Sequence, residues 1–508
     1  MFKAFSSKRF SSQRFTGLVA VVTGLAVITL LITQYRKPHA WRTDELPLVF
    51  WSWRNQLPNQ SDIQAAIDAL NARALFVRAG QIDYENSKLR RIRETQGRLP
   101  RNLDLHLVYN ATRTTLAAFE TLQVGELAEV LCVTFHDDCQ RALREGAVVV
   151  GLQLDFDVPT RLLPRYAKLI HKLRKRLKSN AQVSLTGLPT WMGSADLSDA
   201  LEQVSFWIPQ CYGAMIPQRL DVIAPISSPE SVAGWVARAA ELKRPFYAGI
   251  SAYGYAIHYS RGGQLIEVRG DLDPALIASH SQMAVVEGHR FNDRKDAGEW
   301  RVVYQARGDA LIDGLALRAG EYVMLDIPSV ESLRQSVRSV REEGGRFLLG
   351  VCVFRLPSDQ DQTNLSLKEI ACAFRDETPS PQIAIEMERQ NPVSDEQAQL
   401  MITIINRGTL TPPPGEDFLT VELFIPKPCL IDVITDDTLA YETLFNNQVC
   451  SQYRANRLRL KSRYLPVGRQ TRAVIKIEGE APETFQASVS LRISEDQMRR
   501  NKQLITVK

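Results

Sequence analysis

No glycine-rich loop with phosphate-binding spacing opens any helical stretch of this 508-residue chain, which weighs against a nucleotide or dinucleotide site. Its seven histidines form no His-x-His or His-x-x-x-Glu pattern, and no Cys-x-x-Cys pair occurs, so the spacings of zinc sites are missing. No cofactor and no metal is expected. A large charge excess is missing too. A net charge of +5 over this length points to no particular partner, and none of nucleic-acid type is expected. Cysteine is sparse, at seven residues. In an exported chain Cys132 with Cys139 and Cys429 with Cys450 are the expected disulfides, with connectivity left open by the sequence. Cys211 and Cys352 lie in apolar runs that suit buried free thiols. His136-Asp137-Asp138-Cys139 has the look of a metal cluster, but its simpler role is to cap and charge a helix Gln140–Arg144.

What is present starts at the N-terminus. Lys3, Lys8, Arg9 and Arg14 precede an uncharged stretch from Phe15 to Tyr35, and Arg36 and Lys37 follow it. The apolar centre, Gly17–Thr33, is at the short end of the ~17–25 residues that span a bilayer. It carries neither a small-x-small cleavage site nor a lipid-accepting cysteine, so a signal anchor is preferred to a cleaved signal peptide. The positive charge ahead of the span favours a cytoplasmic N-terminus and export of the rest. The expected location is a bacterial inner membrane, crossed once, with the bulk in the periplasm or outside the cell.

Strand-like runs alternate with helices eight times: Pro47–Trp53, Ala74–Ala79, Leu103–Tyr109, Val148–Asp157, Gln182–Leu188, Phe206–Tyr212, Pro245–Tyr253 and Arg346–Phe354. Ser61 with Gln64 and Ser366 with Glu369 have capping-box spacing, and Ser228-Pro229 puts a proline in a first helical turn. Eight repeats predict a (β/α)8 TIM barrel, with a doubly wound sheet as runner-up. The spacing breaks after the seventh strand, where a β-rich insertion of about residues 256–328 is expected on the active-site face. Its aromatic residues, Tyr255, Tyr259, Phe291, Trp300 and Tyr304 among them, suit either a carbohydrate wall or the insertion's own core. Beyond Asp376-Glu377-Thr378-Pro379-Ser380-Pro381 come short alternating runs such as Leu400–Ile405, Arg472–Ile477 and Ala487–Ile493. They predict a C-terminal all-β immunoglobulin-like sandwich. The expected division is 1–16 cytoplasmic, 17–35 transmembrane, 36–45 linker, 46–376 barrel, 377–381 linker and 382–508 sandwich.

The most informative stretch is Val148-Val149-Val150-Gly151-Leu152-Gln153-Leu154-Asp155-Phe156-Asp157. Alternation puts Gln153, Asp155 and Asp157 on one face of a strand and Leu152, Leu154 and Phe156 on the other. Paired carboxylates at the carboxyl end of a buried strand are costly to desolvate unless bonded or used, and in a barrel that end is where catalytic residues sit. The helix that follows, Arg161–Lys178, sets Leu163, Tyr166, Ile170 and Leu173 against a run of cations that reads as a solvated face.

Gly151-Leu152-Gln153-Leu154-Asp155-Phe156-Asp157 resembles the fourth-strand signature of the chitinase-like glycoside hydrolases, whose alternate acidic residues end in a catalytic Glu. Asp157 falls at that Glu and Asp155 at the last aspartate, while Gln153 and Val150 replace the earlier acids. Gln210-Cys211-Tyr212-Gly213 is similar to the family's Met-x-Tyr-Asp with Tyr212 retained, and Phe354 stands where a substrate-stacking Trp ends the last strand. Over about Leu46 to Phe374 the chain more closely resembles an uncharacterised bacterial domain family with glycosidase-like barrels. That family shares the Gln-x-Asp-Phe-Asp strand, a basic helix and a segment like Leu188-Pro189-Thr190-Trp191. These resemblances imply Asp157 as proton donor with Asp155 beside it, and Gln153, Tyr212, Trp191, Phe354 and Arg355 as substrate-binding residues. The implied partner is a polysaccharide or oligosaccharide.

Three readings stay open: a membrane-anchored glycoside hydrolase, a catalytically inactive barrel that binds glycan or scaffolds the envelope, and a metal hydrolase using Asp155, Asp157 and His106. A structural network in which the aspartates bind Arg78 or Arg355 competes with all of them.

Overall fold

The computed structural model describes residues 46–92, 95–177, 181–213, 215–290, 300–358, 361–394, 397–425, 429–494 and 497–508. The stretch Phe15–Tyr35 therefore lies outside the described residues, as does Phe291. Among the described residues no helix is long and apolar enough to cross a membrane.

Eight parallel strands close into a barrel: Leu48–Ser52, Ala74–Glu85, Asp104–Ala111, Val148–Asp155, Gln182–Gly187, Phe206–Pro209, Phe246–Ser251 and Leu348–Phe354. The first strand pairs with both the second and the eighth, which shuts the ring. Each strand is a β-branched or aromatic run long enough to be buried on both faces, the pattern an all-parallel sheet requires. Odd and even positions divide cleanly. Leu105, Leu107, Tyr109, Leu152 and Leu154 pack outward into one large core under the helices. Val49, Trp51, Phe76, Val108, Phe206, Ile208 and Cys352 fill the barrel itself. Low in the barrel the His106 ring stacks on Phe76 at 4.4 Å and meets Phe206 edge-on at 5.4 Å. Gly151 permits this crowding, because a Cβ there would lie 2.9 Å from His106 Nδ1 and 2.4 Å from the Gln182 carbonyl.

Helices cover the ring, with one departure from the expected alternation. Between the second and third strands the chain forms an antiparallel hairpin strand, Lys88–Ile92, instead of a helix. Asn86 and Ser87 both have positive φ, at 51° and 59°, the turn that keeps two twisted strands in register. The helix after the fourth strand, Leu163–Arg176, buries Tyr166, Leu169, Ile170 and Leu173 and leaves Lys168, Lys172 and Lys175 exposed. Its cations are a solvated face. Ser366 and Glu369 form the expected capping box, and Ser228 accepts from Ser231 N at 3.1 Å. Ser61 does not cap: the helix Gln60–Leu70 already contains it, and Asn59 holds the cap position.

The cysteine and histidine expectations are corrected as well. His136–Cys139 does not begin a helix but lies well inside Val124–Glu145. Asp138 there is buried, accepting from Tyr109 Oη at 2.7 Å and pairing with Arg91 at 2.9 Å. Cys132 and Cys139 sit on that same helix, and seven residues of rise separate them by about 10 Å, beyond disulfide reach. Cys139 and Cys450 are free thiols, so neither expected pair is joined, and Cys211 and Cys352 are buried free thiols.

After the seventh strand the insertion forms a five-stranded antiparallel sheet built from Tyr255–Tyr259, Leu265–Arg269, Met283–Arg290, Trp300–Ala306 and Tyr322–Ile327. Tyr255, Tyr259, Trp300 and Tyr304 are buried in it, so those aromatics are core and not a sugar wall. C-terminal to the barrel, two antiparallel sheets face each other. One carries Ile383–Ser394, Gln397–Asn406, Gln470–Glu478 and Leu430–Thr435; the other is six-stranded around Leu419–Phe424 and Thr484–Arg492. Alternate burial along Gln470–Glu478 and Thr484–Arg492 gives each sheet one apolar face. That core is continuous with the insertion, since Trp300, Val302 and Tyr304 share a cluster with Phe418, Leu419 and Tyr464.

A buried carboxylate also ties the barrel to these sheets. Glu369 is 2 % exposed, accepts from Ser366 N and Oγ, both at 2.9 Å, and takes a third bond from Thr411 Oγ1 at 2.7 Å. Replacing Glu369 with Ala leaves those donors unmet, at a cost of about 1–3 kcal/mol, whereas Glu369→Gln keeps most of the bonds. Urea denaturation of the two variants checks this; equal midpoints for wild type and Glu369→Ala would remove Glu369 from the junction.

Candidate active site

The candidate site is assembled where the strands end. Asp155 closes the fourth strand and Asp157 lies two residues further on, with Phe156 turned into the core between them. Thr186 Oγ1 on the fifth strand donates to Asp155 Oδ1. Beneath them Gln153 is fully buried, its Oε1 accepting from Trp51 Nε1 at 2.7 Å and its Nε2 donating to Ser184 Oγ at 3.4 Å. Trp51 stands on the first strand, so this bond crosses the barrel and fixes the layer on which Asp155 rests. Gln153 is thus a support under the carboxylates, out of reach of a ligand.

Aromatic rings form the other side. Tyr212, just past the sixth strand, stacks on Phe354 at 5.7 Å with 29° between the rings. Tyr253 meets Phe354 edge-on at 5.0 Å, and Trp53 lies 6.2 Å from it. Phe354, Tyr253 and Trp53 are half-buried and so offer ring surface to the opening. The Arg78 guanidinium lies 5.1 Å over the Trp53 ring and donates to Asn55 Oδ1 at 3.0 Å.

Two expected site residues stand elsewhere. Trp191 is 1 % exposed; its Nε1 donates to the Val158 carbonyl at 3.0 Å and its ring meets Tyr166 of the helix layer edge-on at 5.9 Å. It is core, and it holds the loop that carries Asp157. Arg355 turns away from Phe354 and pairs with Asp361 at 2.6 Å; Asp361 also binds Arg54 and accepts from Ser358 Oγ at 2.9 Å. The peptide bond between Phe354 and Arg355 is cis. His106, a candidate metal ligand, is buried between rings, and burial lowers its imidazole to about 4, so it is neutral. Among the described residues no group of His, Cys, Asp and Glu is placed to hold a metal ion.

The electrostatics suit proton chemistry. Burial is the main cause that pushes the Asp155 carboxyl up to about 7; the Asp157 charge adds to it, and Thr186 and Arg78 pull the other way. Asp157 is exposed as a residue, yet crowding of its carboxyl by the surrounding wall raises it too. Tyr212 is held well above the ordinary phenol value by burial first, with Asp155 among the neighbouring charges. The mouth therefore holds a carboxyl that changes protonation near neutrality beside a second one, which is what acid–base exchange needs. A cavity of about 660 Å³ opens elsewhere, on the insertion between His258, Asp309, Leu311 and Glu321, and neither aspartate lines it.

Sequence reasoning missed Trp51, Trp53 and Thr186 as parts of this site. A signal was there: Val49, Trp51 and Trp53 share the alternation that singled out Gln153 and Asp155, as do Ser184 and Thr186.

Residues 133–284, which include Asp155, Asp157 and Tyr212, match the family model described as Domain of unknown function (DUF3142). This agrees with the resemblance to an uncharacterised domain family with glycosidase-like barrels. No curated protein matches the chain. Among solved structures, the spore cortex-lytic enzyme SleL of Bacillus megaterium QM B1551 aligns at 13 % identity with a TM-score of 0.43, covering 65 % of this chain and 73 % of that one. A chitinase from Chromobacterium violaceum ATCC 12472 aligns at 13 % identity with a TM-score of 0.42, covering 65 % and 98 %. At these scores the barrel assignment rests on the strand order and closure described above.

Asp155 predicts a pH signature. Its carboxyl is raised from the ordinary 3.8 to about 7, so between those values the folded chain binds the extra proton and loses stability as pH rises. Asp155→Asn cannot ionise and should melt a few degrees above wild type at pH 8, with little difference at pH 4. Melting curves at the two pH values test this, and an offset independent of pH would contradict it.

Proposed function

We propose that this chain is a glycoside-hydrolase-like protein of the cell envelope that binds a polysaccharide across the barrel mouth and cleaves it by acid catalysis. The observation that carries the reading is the pair of raised carboxyls, Asp155 and Asp157, set at a strand end opposite the half-buried Phe354 ring, on which the buried Tyr212 stacks. Sugar rings stack their apolar faces on aromatic rings, and a glycosidic oxygen leaves only when protonated. In this reading Asp157 is the proton donor. Asp155 tunes it through charge and orients the reacting ring, while Tyr212 and Phe354 support the sugar. Asp157 is one methylene shorter than a glutamate, so the scissile bond sits deeper than a Glu would require.

The remaining parts follow the same reading. Residues 17–35 are a signal anchor that leaves the bulk in the periplasm or outside a bacterial cell, and the two C-terminal sheets are an immunoglobulin-like sandwich bracing the barrel. A second reading, glycan binding without turnover, draws on Gln153, which puts a neutral amide where the resembled family has an acid.

Turnover of chito-, cello-, xylo- and malto-oligosaccharides by wild type and Asp157→Asn separates the two. Hydrolysis should fall about 10²–10⁴-fold in the variant while binding persists, because the amide keeps the shape and loses the proton. Full activity in Asp157→Asn would refute the assigned donor, and wild-type binding without hydrolysis would select the second reading. Topology has its own test. Protease added to inverted inner-membrane vesicles should spare the barrel, and cleavage would place it in the cytoplasm.

A further inference from the structure

Asn110 ends the inward row of the third barrel strand, above His106 and Val108. Register sets it beside Asp155 on the fourth strand and Gln81 on the second. Its neighbours at the rim are engaged: Arg78 with Asn55, Asp155 with Thr186, and Gln153 with Trp51 and Ser184. Asn110 is not. It is 8 % exposed, and among the described residues its Oδ1 meets no hydrogen-bond partner. A buried amide oxygen without a donor is a standing cost in a folded chain, and it is relieved when a ligand supplies that donor.

The position also narrows the donor. Strand alternation aims the side chain into the mouth, on the side of Asp155 that Thr186 does not occupy. A carboxylate ligand is disfavoured there, since an amide oxygen offers nothing to an anion and two aspartates stand close by. A hydroxyl is favoured, because it donates to the oxygen and is neutral. Turning the amide over exchanges its donor and acceptor ends, so a vicinal pair of hydroxyls fits the group in either sense.

Resting on the glycan reading of this mouth, we propose that Asn110 is a sugar-orienting residue whose amide binds a ring hydroxyl of the pyranoside seated over Asp155. The ligand class is then a glycan whose reacting ring keeps a free hydroxyl on the side of the third strand. Asn110 acts by position: it sets the rotation of the ring and so the approach of the glycosidic oxygen to Asp157.

Calorimetric titration of the full chain with chitotetraose, cellotetraose, xylotetraose and maltotetraose tests this, with Asn110→Ala and Asn110→Ser measured beside wild type. The tetrasaccharide that wild type binds should bind Asn110→Ala about tenfold more weakly, while Tm stays level or rises because an unpaired buried amide has gone. Monodeoxy analogues of that ligand add a signature that a structural role would not give. One of them should lose affinity for wild type and lose nothing further for Asn110→Ala. Equal affinity of wild type and Asn110→Ala overturns the inference and leaves the glycan reading standing, as does a weakened affinity that tracks a fallen Tm. Failure of wild type to bind any of the four overturns both.

Discussion

Closure of the barrel through its first strand is the constraint on which the rest depends. Leu48–Ser52 pairs with the second strand on one side and the eighth on the other, so the ring of eight has no free edge and every alternate side chain must point into a shared interior. That interior is filled in layers: His106 with Phe76 and Phe206 low down, the Trp51–Gln153 bond above them, and the carboxylates with their aromatic partners at the rim. The apolar plug beneath the rim keeps water away from one side of Asp155. Desolvation, more than any single charge, is what raises its carboxyl.

Within that frame the departures from the resembled signature have a physical sense. A carboxylate at position 153 would be sealed beneath Asp155, adding a further buried charge under the pair at the rim. Gln153 carries no charge, reaches one methylene further than an aspartate, and accepts the Trp51 N–H. The electrostatic problem at the mouth is thereby reduced to two carboxyls, of which one is open to solvent.

Much of this was legible because buried parallel strands are dense apolar runs. Seven of the eight were found to within three residues at each end, the second running six residues past the expected Ala79, and the insertion after the seventh and the all-β texture beyond Pro381 were found too. Asp155 and Asp157 stood out because charge is rare in such a run. What escaped notice has causes too. The hairpin after the second strand rests on the two left-handed residues Asn86 and Ser87, a turn only weakly announced by its side chains. His136–Cys139 read as a helix start because Val124–Glu145 carries polar residues on its outer face along its whole length. Trp191 became core where substrate binding was expected, and Tyr259 and Tyr304 took the core alternative of the two left open, since aromatic residues serve both ends equally well and only burial separates them. Arg355 was placed by its neighbour in sequence, but its partner Asp361 comes from a loop whose path alternation does not predict. Asn110, a lone amide at the end of an apolar strand, has no pattern to mark it.

The continuous core shared by the insertion and the C-terminal sheets has a consequence for how the molecule comes apart. Trp300 and Tyr304 are tethered to the barrel through both ends of the insertion, yet they are solvated or not according to whether Phe418 and Tyr464 are in place. Arg463 from the C-terminal sheets binds the Ala278 carbonyl at 3.1 Å, and Arg469 binds the Asp361 carbonyl at 2.7 Å, so the loop following Phe354 is secured from the same side. Unfolding of the C-terminal sheets would strip apolar cover from the insertion and a brace from the mouth in one event. The chain should therefore lose its parts together, in a single cooperative transition, where separate domains on a linker would melt in turn.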